Sequence, residues 1–250
     1  MDAWDPRQAR RNRLLNGLSD ESLVALTRDL QPRELSARVH VVAVGQAIEA
    51  VYFPVSCVCA TVAQGSRGLG VEVATIGNDG MSGLPVFFGV EGVASLDTLV
   101  QLPGRALCMQ AAAFRAHLAG DRRLDAIIGR YAQALLMQVA QGSACNRLHT
   151  AEQRCARWLL MTHDRVDRDD FELTHELIAQ MLGVRRATVT EIASALQDAG
   201  AIRYARGVMT VVNRGILRAR CCECYDFIQA EYERLLPSPV QEHQPTEALP

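Results

Sequence analysis

The apolar positions of this chain change period three times along its length. Between Val39 and Met109 they fall in short β-branched runs, VHVVAV, YFPVSCVCATVA and VEVATI, broken by Gly45, Gly65, Ser66, Gly68, Gly70, Gly77 and Gly80. That pattern predicts a jelly-roll or β-roll. Ahead of it, Asp20 to Leu30 reads as a helix with Leu23, Leu26 and Leu30 on one face, against which Leu14, Leu15 and Leu18 dock. From Leu124 to Leu148 the period becomes helical: Leu124, Ile127, Ile128, Tyr131, Leu135, Val139, Gly142 and Cys145 recur at three- and four-residue spacing. The stripe is too wide for a bare coiled-coil seam. It predicts a long helix with one edge on the β-roll and the other free for a second chain, or else a wholly intramolecular amphipathic helix. A further helix, Glu152 to Asp164 with Trp158, Leu159 and Leu160 as its core, follows a hinge at residues 146–150.

The stretch LTHELIAQMLGVRRATVTEIASALQDAG, residues 173–200, is read as two short helices joined at Gly183. Ile178, Leu182, Val184, Val189 and Ile192 take the positions a helix pair must bury, and Ala179 stands where the helices pass closest. An ordinary helical hairpin has the same apolar period, but the small residue and the corner glycine favour a helix-turn-helix. Thr174 is placed to cap the first helix, Glu176 adds negative charge in its first turn, and Gly183 and Gly200 supply positive-φ stops. With Val189, Ile192, Ala193 and Leu196 inward, Arg186, Ala187, Thr190, Glu191 and Ser194 face outward, and Arg185 and Thr188 complete the helix's leading end. Arginine bonds guanine O6 and N7 bidentately, glutamate accepts from cytosine N4, and a threonine methyl meets the thymine methyl. The run AIRYARGVMTVV, residues 201–212, then predicts a hairpin turning at Arg206 and Gly207, with Arg203 and Arg206 as phosphate contacts.

In this order the residues resemble the Crp/Fnr superfamily of bacterial transcription regulators, from about residue 14 to residue 236. The resemblance implies an α+β protein: an N-terminal β-roll (jelly-roll, cyclic-nucleotide-binding-like) sensor domain over 1–120, a dimerisation helix over 121–149, a winged helix-turn-helix over 150–236 and a disordered tail over 237–250. It implies a homodimer on a palindromic operator in double-stranded DNA, with RNA polymerase and an unknown small-molecule effector as further partners. Leu124, Ile128, Tyr131, Leu135 and Gly142 are the expected dimerisation residues. The cyclic-AMP-binding branch carries an Arg-Glu pair early in the recognition helix and an arginine later. Here Ala187 replaces the glutamate and Glu191 the later arginine, so a different operator is expected.

Asp79, Gly80 and Ser95 mark a weak effector pocket. GNDGMSGLPVFFG, residues 77–89, lies where cyclic-nucleotide binders place a glycine-flanked glutamate. The stretch after it, GVEGVASLDTLVQL, offers Ser95 and Thr98 but no arginine for a cyclic phosphate. Without that charge-assisted contact a cyclic nucleotide lacks its anchor.

Charge and cysteine usage alter the picture little. The chain of 250 residues is 49% hydrophobic and 22% charged with a formal charge of -2, which does not advertise a nucleic-acid partner. Arg185, Arg186, Arg203, Arg206, Arg214, Arg218 and Arg220, however, cluster in the last third and predict a local basic patch. No segment reaches the roughly 18 apolar residues of a membrane span, and the arginine-rich N-terminus lacks a signal-peptide core. A cytoplasmic protein with reduced thiols is expected. Cys57 and Cys59, on one face of a strand, read as small core residues. Cys221, Cys222 and Cys224 fall in RARCCECYDFIQAEYERLL, which predicts one helix packing back through Phe227, Ile228, Tyr232 and Leu235. A redox, metal or haem-sensing regulator, with His40 or His117 as haem ligands, is the alternative these residues leave open, as is a β-roll interaction scaffold with a non-reading winged helix. No metal ligand set, cofactor or catalytic group is assigned. Asp164, Asp167, Asp169, Asp170 and Glu172, around Arg165 and Arg168, read as a solvated loop.

Overall fold

The computed structural model describes residues 6–65, 70–89 and 93–238. Ser66, Gly68 and the tail from residue 239 lie outside the described residues, as do 90–92 of the stretch without a phosphate-binding arginine. A short 3-10 helix, Pro6–Arg11, leads into α1 (Arg13–Asn16) and α2 (Asp20–Thr27), whose Leu14, Leu15, Leu23 and Leu26 are buried as their spacing predicts.

Seven strands follow: β1 (Gln31–Leu35), β2 (His40–Val42), β3 (Ala50–Pro54), β4 (Val58–Gln64), β5 (Gly70–Ile76), β6 (Asp97–Leu102) and β7 (Gly104–Gln110). They form two antiparallel sheets, ordered β1-β7-β3 and β2-β6-β4-β5. The apolar alternation of β3, β4, β6 and β7 builds the core, where Phe53 meets Phe114 edge-on at 6.0 Å. The first strand was not legible: QPREL is almost wholly exposed, so no period-2 apolar face marks it.

Beyond α3 (Ala111–Gly120), α4 runs over Arg122–Leu148 and α5 over Ala151–His163. Leu148 ends α4, His149 caps it, and Thr150 opens α5 with a reciprocal capping box to Gln153. The join therefore coincides with the hinge predicted at 146–150. The stripe on α4 divides differently from expectation. Leu124, Ile128 and Tyr131 are buried within the chain itself, where they pack on the β-roll and the N-terminal helices and leave almost no surface exposed. Leu135 and Gly142 are half-buried, Leu135 against the β-roll and Gly142 beside β5. Leu136 and Leu148 are the large apolar residues that α4 leaves exposed.

Two further readings are corrected. The acidic run is not simply a solvated loop, since Asp170–Glu172 forms β8 with Phe171 buried, and Arg165 is 2% exposed. The predicted C-terminal helix is two: α8 (Arg214–Ala219) and α9 (Cys224–Leu235), with Cys221 and Cys222 in the connection. The break follows from packing. The α8 helix lies on α5 and α9 on α4, and Arg214 and Arg218 bracket the Tyr225 ring across the turn.

The polar contacts between the β-roll and the C-terminal part of the chain include Gln101 Nε2 to the Thr162 hydroxyl at 3.2 Å and two that involve charged groups. At the first, Arg165 makes an ion pair with Asp79 at 2.7 Å and bonds the Met161 carbonyl at 2.7 Å, with Gln138 and the Tyr232 ring beside it. Gly77 permits this approach, for a Cβ there would lie 2.5 Å from the arginine side chain. At the second, Glu72 of β5 accepts from Trp158 Nε1 of α5 at 2.7 Å and from the Thr75 hydroxyl. Burial pushes the Glu72 carboxyl above its ordinary value, against the opposing pull of these hydrogen bonds and of Arg157 and Arg165. A carboxyl raised in the folded state holds its proton to higher pH than the unfolded chain does. Its contribution is thus present at low pH and lost as pH rises through the raised value. Glu72→Gln, which never ionises, is expected to match the parent in thermal midpoint near pH ~4 and to exceed it increasingly towards pH ~8. Thermal unfolding across that range, with the two curves staying parallel, would contradict this.

Candidate DNA-binding surface

Helix α6 (His175–Leu182) and helix α7 (Arg186–Asp198) form the helix-turn-helix. The Thr174 hydroxyl accepts from Leu177 N at 3.1 Å, which caps α6 and takes up its oxygen. Gly183 turns the corner at φ 65°, a conformation that costs other residues side-chain strain. Val189, Ile192, Ala193 and Leu196 are buried on the α6 side of α7, while Arg185, Arg186, Ala187, Thr190, Glu191 and Ser194 are exposed and Thr188 is half-buried. The outward face predicted from the period is the face the structure exposes.

The wing is β9 (Ile202–Ala205) and β10 (Val208–Val211), with β8 paired on the far edge of β10. Its turn residues Arg206 and Gly207 both have positive φ, the two-residue hairpin geometry that follows the twist of the strands. Arg203 lies exposed on β9 and Arg206 at the turn.

Of the seven arginines expected in a basic patch, three are taken up internally. Arg214 pairs with Asp164, Arg218 with Asp226 at 2.6 Å, and Arg220 with Glu152 at 3.0 Å, so they fasten α8 and α9 to the rest of the fold. Arg185, Arg186, Arg203 and Arg206 have no ion-pair partner among the described residues. The patch is smaller than the sequence suggests and centred on α7 and the wing.

His175 joins this surface without having been legible in it. Its Nδ1 lies 3.0 Å from the Thr190 hydroxyl, and its ring stacks on Tyr204 at 4.2 Å. It thereby ties α6 to both the outward face of α7 and the wing. Burial, reinforced by the charge of Arg186, lowers its pKa. The only local signal was a histidine one residue past a helix cap; Tyr204 lies too far along the chain for spacing to suggest the stack.

The surface is docked against the β-roll. A Cβ on Gly183 would come within 3.2 Å of the Val71 side chain of β5. Thr174 and Arg206 line a groove of about 340 Å³ together with Ala37, Arg38 and Gln101. The expected effector residues separate. Asp79 is paired with Arg165, and Gly80 is pressed on Tyr131, where an added Cβ would lie 2.6 Å from the phenol oxygen. Ser95 instead lines a cavity of about 320 Å³ between the β-roll and α4, walled by Val42, Ile48, Leu84, Phe88 and Leu135, with no charged side chain among the described residues that line it.

Residues 153–220 match the Crp-like helix-turn-helix domain family. No curated protein matches the chain. Among solved structures, it is similar to a transcriptional regulator of the Crp/Fnr family from Eubacterium rectale, with 14% identity, a TM-score of 0.63, and 84% of this chain and 98% of that one covered. The chain thus carries a Crp-like helix-turn-helix domain over residues 153–220 and shares the overall fold of that regulator. FixK2 from Bradyrhizobium japonicum gives 16% identity and a TM-score of 0.63 over 77% of this chain and 98% of its own. The c-di-GMP-responsive global regulator CLP of Xanthomonas campestris gives 14% and 0.61 over 78% and 100%. At these identities the likeness is one of fold: a β-roll, a long helix and a helix-turn-helix, in that order. Among the described residues, no helix is long and apolar enough to cross a membrane.

Proposed function

We propose that this chain is a sequence-specific transcription regulator of the Crp/Fnr type that binds double-stranded DNA as a homodimer. The observation that carries the reading is the exposed face of α7, with Arg186, Thr190 and Glu191 on one side of a helix whose opposite side is buried, flanked by Arg185, Arg203 and Arg206, which like Arg186 have no carboxylate partner among the described residues. In the major groove, Arg186 would read guanine, Glu191 cytosine, and Ala187 and Thr190 thymine methyls. Arg185, Arg203 and Arg206, with the α6 terminus at Thr174 and the adjacent Thr188, would hold phosphates and fix register. RNA polymerase is the further macromolecular partner expected of a bound regulator. The domain limits at residues 120, 149 and 236 remain part of the proposal.

The second copy is placed on the exposed side of α4. Leu136, Ala140, Ala144 and Leu148 recur there at four-residue spacing, two large apolar residues separated by small ones that let a facing helix approach. Such a two-fold arrangement sets the two α7 helices roughly 34 Å apart, one turn of DNA. Leu136→Glu is expected to convert the dimer to a monomer in sedimentation and to abolish tight duplex binding; an unchanged dimer would place the interface elsewhere. The docked wing and the hinge at His149 support a movement between two orientations of the winged helix, biased by whatever occupies the β-roll cavity. The described lining of that cavity, Val42, Ile48, Leu84, Phe88 and Leu135 with Ser95 and Thr98, suits a mainly apolar ligand. The test of the reading is selection of sites from a random duplex library, from which a two-fold-symmetric sequence should be enriched; recovery of no common sequence would refute it.

A further inference from the structure

The connection between α8 and α9 brings three cysteines and a histidine from distant parts of the chain to one point. Cys145 lies in the last turn of α4, His149 caps that helix, Cys222 is in the connection and Cys224 opens α9. One ligand atom from each lies within 4.8 Å of all the others. Cys145 and Cys222 Sγ are 3.5 Å apart, and Cys224 Sγ is 3.6 Å from His149 Nδ1. A tetrahedral ion with metal–sulfur bonds of ~2.3 Å needs its sulfurs about 3.8 Å apart, close to these separations. The four groups surround a single ion's volume, whereas a cluster of two or more irons needs a wider cage.

We infer that Cys145, His149, Cys222 and Cys224 form a Cys₃His site for one tetrahedral divalent ion of the zinc class. The surroundings are those such a site needs. His149 Nε2 lies 3.1 Å from Glu223 Oε1, so an Nε2–H donates to the carboxylate and the Nδ1 lone pair is left turned to the cluster. Gln141 Nε2 donates to Cys224 Sγ at 3.1 Å and so orients that sulfur from outside the ligand set. Arg157 places positive charge near Cys145, which offsets the net charge of −1 on a divalent ion with three thiolates and a neutral imidazole. Cys145, Cys222 and Cys224 are buried, and soft thiolates select zinc over magnesium or calcium. The neighbouring Cys221 donates its thiol to the Cys222 carbonyl at 3.2 Å and stays outside the set. On binding, three thiols release their protons to solvent and no electron is transferred. Four protein ligands close the coordination sphere, so the site is structural and not catalytic.

Its position gives it a consequence for the protein. Cys145 and His149 flank the end of α4 at the hinge, and Cys222 and Cys224 belong to the segment that anchors α8 and α9. None of the four falls within residues 153–220, so the site is a feature of the flanks of the helix-turn-helix family domain and not of that domain. An ion would fasten the hinge to the C-terminal helices and restrict how the winged helix turns on α4. This goes beyond the DNA-binding reading and is tested independently of it.

The experiment uses the full chain purified under reducing conditions, with zinc quantified by elemental analysis and Co²⁺ substituted as a spectroscopic probe. About one equivalent of zinc per chain is expected, together with thiolate-to-cobalt charge transfer and the intense visible bands of tetrahedral Co²⁺. Cys222→Ser should lose most of the metal, and Cys108→Ala, whose thiol lies in β7 away from the cluster, should keep it. His149→Gln should retain charge transfer but release the ion to a chelator faster than the parent. Circular dichroism of each variant separates loss of ligand from loss of fold. Failure of the reduced wild-type chain to hold zinc or give the tetrahedral Co²⁺ spectrum would overturn the proposal. So would a Cys145–Cys222 disulfide in that protein, or the visible absorption of an iron–sulfur cluster.

Discussion

Arg165→Ala is expected to destabilise the protein by about 3–5 kcal/mol, the usual effect of removing one partner from a buried ion pair. The guanidinium is 2% exposed and is held by Asp79, the Met161 carbonyl, Gln138 and the Tyr232 ring. Its removal leaves the Asp79 carboxylate, 18% exposed, without its cation, and opens a cavity beside Gly77. For a chain of this size the loss corresponds to a fall in thermal midpoint of roughly 10 °C. Arg168→Ala, at an exposed position three residues on, is expected to change stability by less than about 0.5 kcal/mol. The double variant Arg165→Met with Asp79→Asn should recover a substantial part of the loss, since it removes the orphaned charge and restores packing. Calorimetric unfolding of the four proteins checks this. Equal midpoints for the Arg165 and Arg168 variants would show that the buried pair does not hold the β-roll to the C-terminal helices.

Arg186→Ala is expected to weaken binding to the selected duplex by about 1–3 kcal/mol, roughly 5- to 150-fold, and to relax the sequence preference at the base it reads. Arg203→Ala should act differently, weakening preferred and scrambled duplexes alike and lowering the salt dependence by about one charge. The contrast distinguishes a reading helix from a merely basic surface. An interaction scaffold with a decayed winged helix would show neither effect. Fluorescence anisotropy titrations at several salt concentrations measure both.

What was legible in the sequence was what depends on near neighbours. The spacing of Ile178, Leu182, Val189 and Ile192, with Gly183 between them, locates the two helices of the candidate DNA-binding surface because each apolar position is dictated by a turn of helix a few residues away. The positive φ of Arg206 and Gly207 follows from two short strands needing a two-residue turn. Features set by distant partners were not legible. Arg165 sits among aspartates that suggest solvent, yet its partner is 86 residues away in the β-roll. Leu124, Ile128 and Tyr131 belong to a stripe that suits either a second chain or the same one, and only the tertiary packing decides between them. Nothing local breaks RARCCECYDFIQAEYERLL; α8 and α9 separate because they rest on different helices. His149 and Cys145 come to Cys222 and Cys224 across more than 70 residues, beyond any spacing rule.

The central claim, that α7 reads DNA sequence, is tested most directly by the ratio of affinities for the selected symmetric duplex and a scrambled duplex of the same length. Both are measured with the wild-type protein near physiological salt. The account predicts a preference of at least about 10³, the range of specific regulators. A ratio near one, with both affinities falling equally as salt rises, would mean that the arginines bind phosphate alone and that the exposed face of α7 reads nothing.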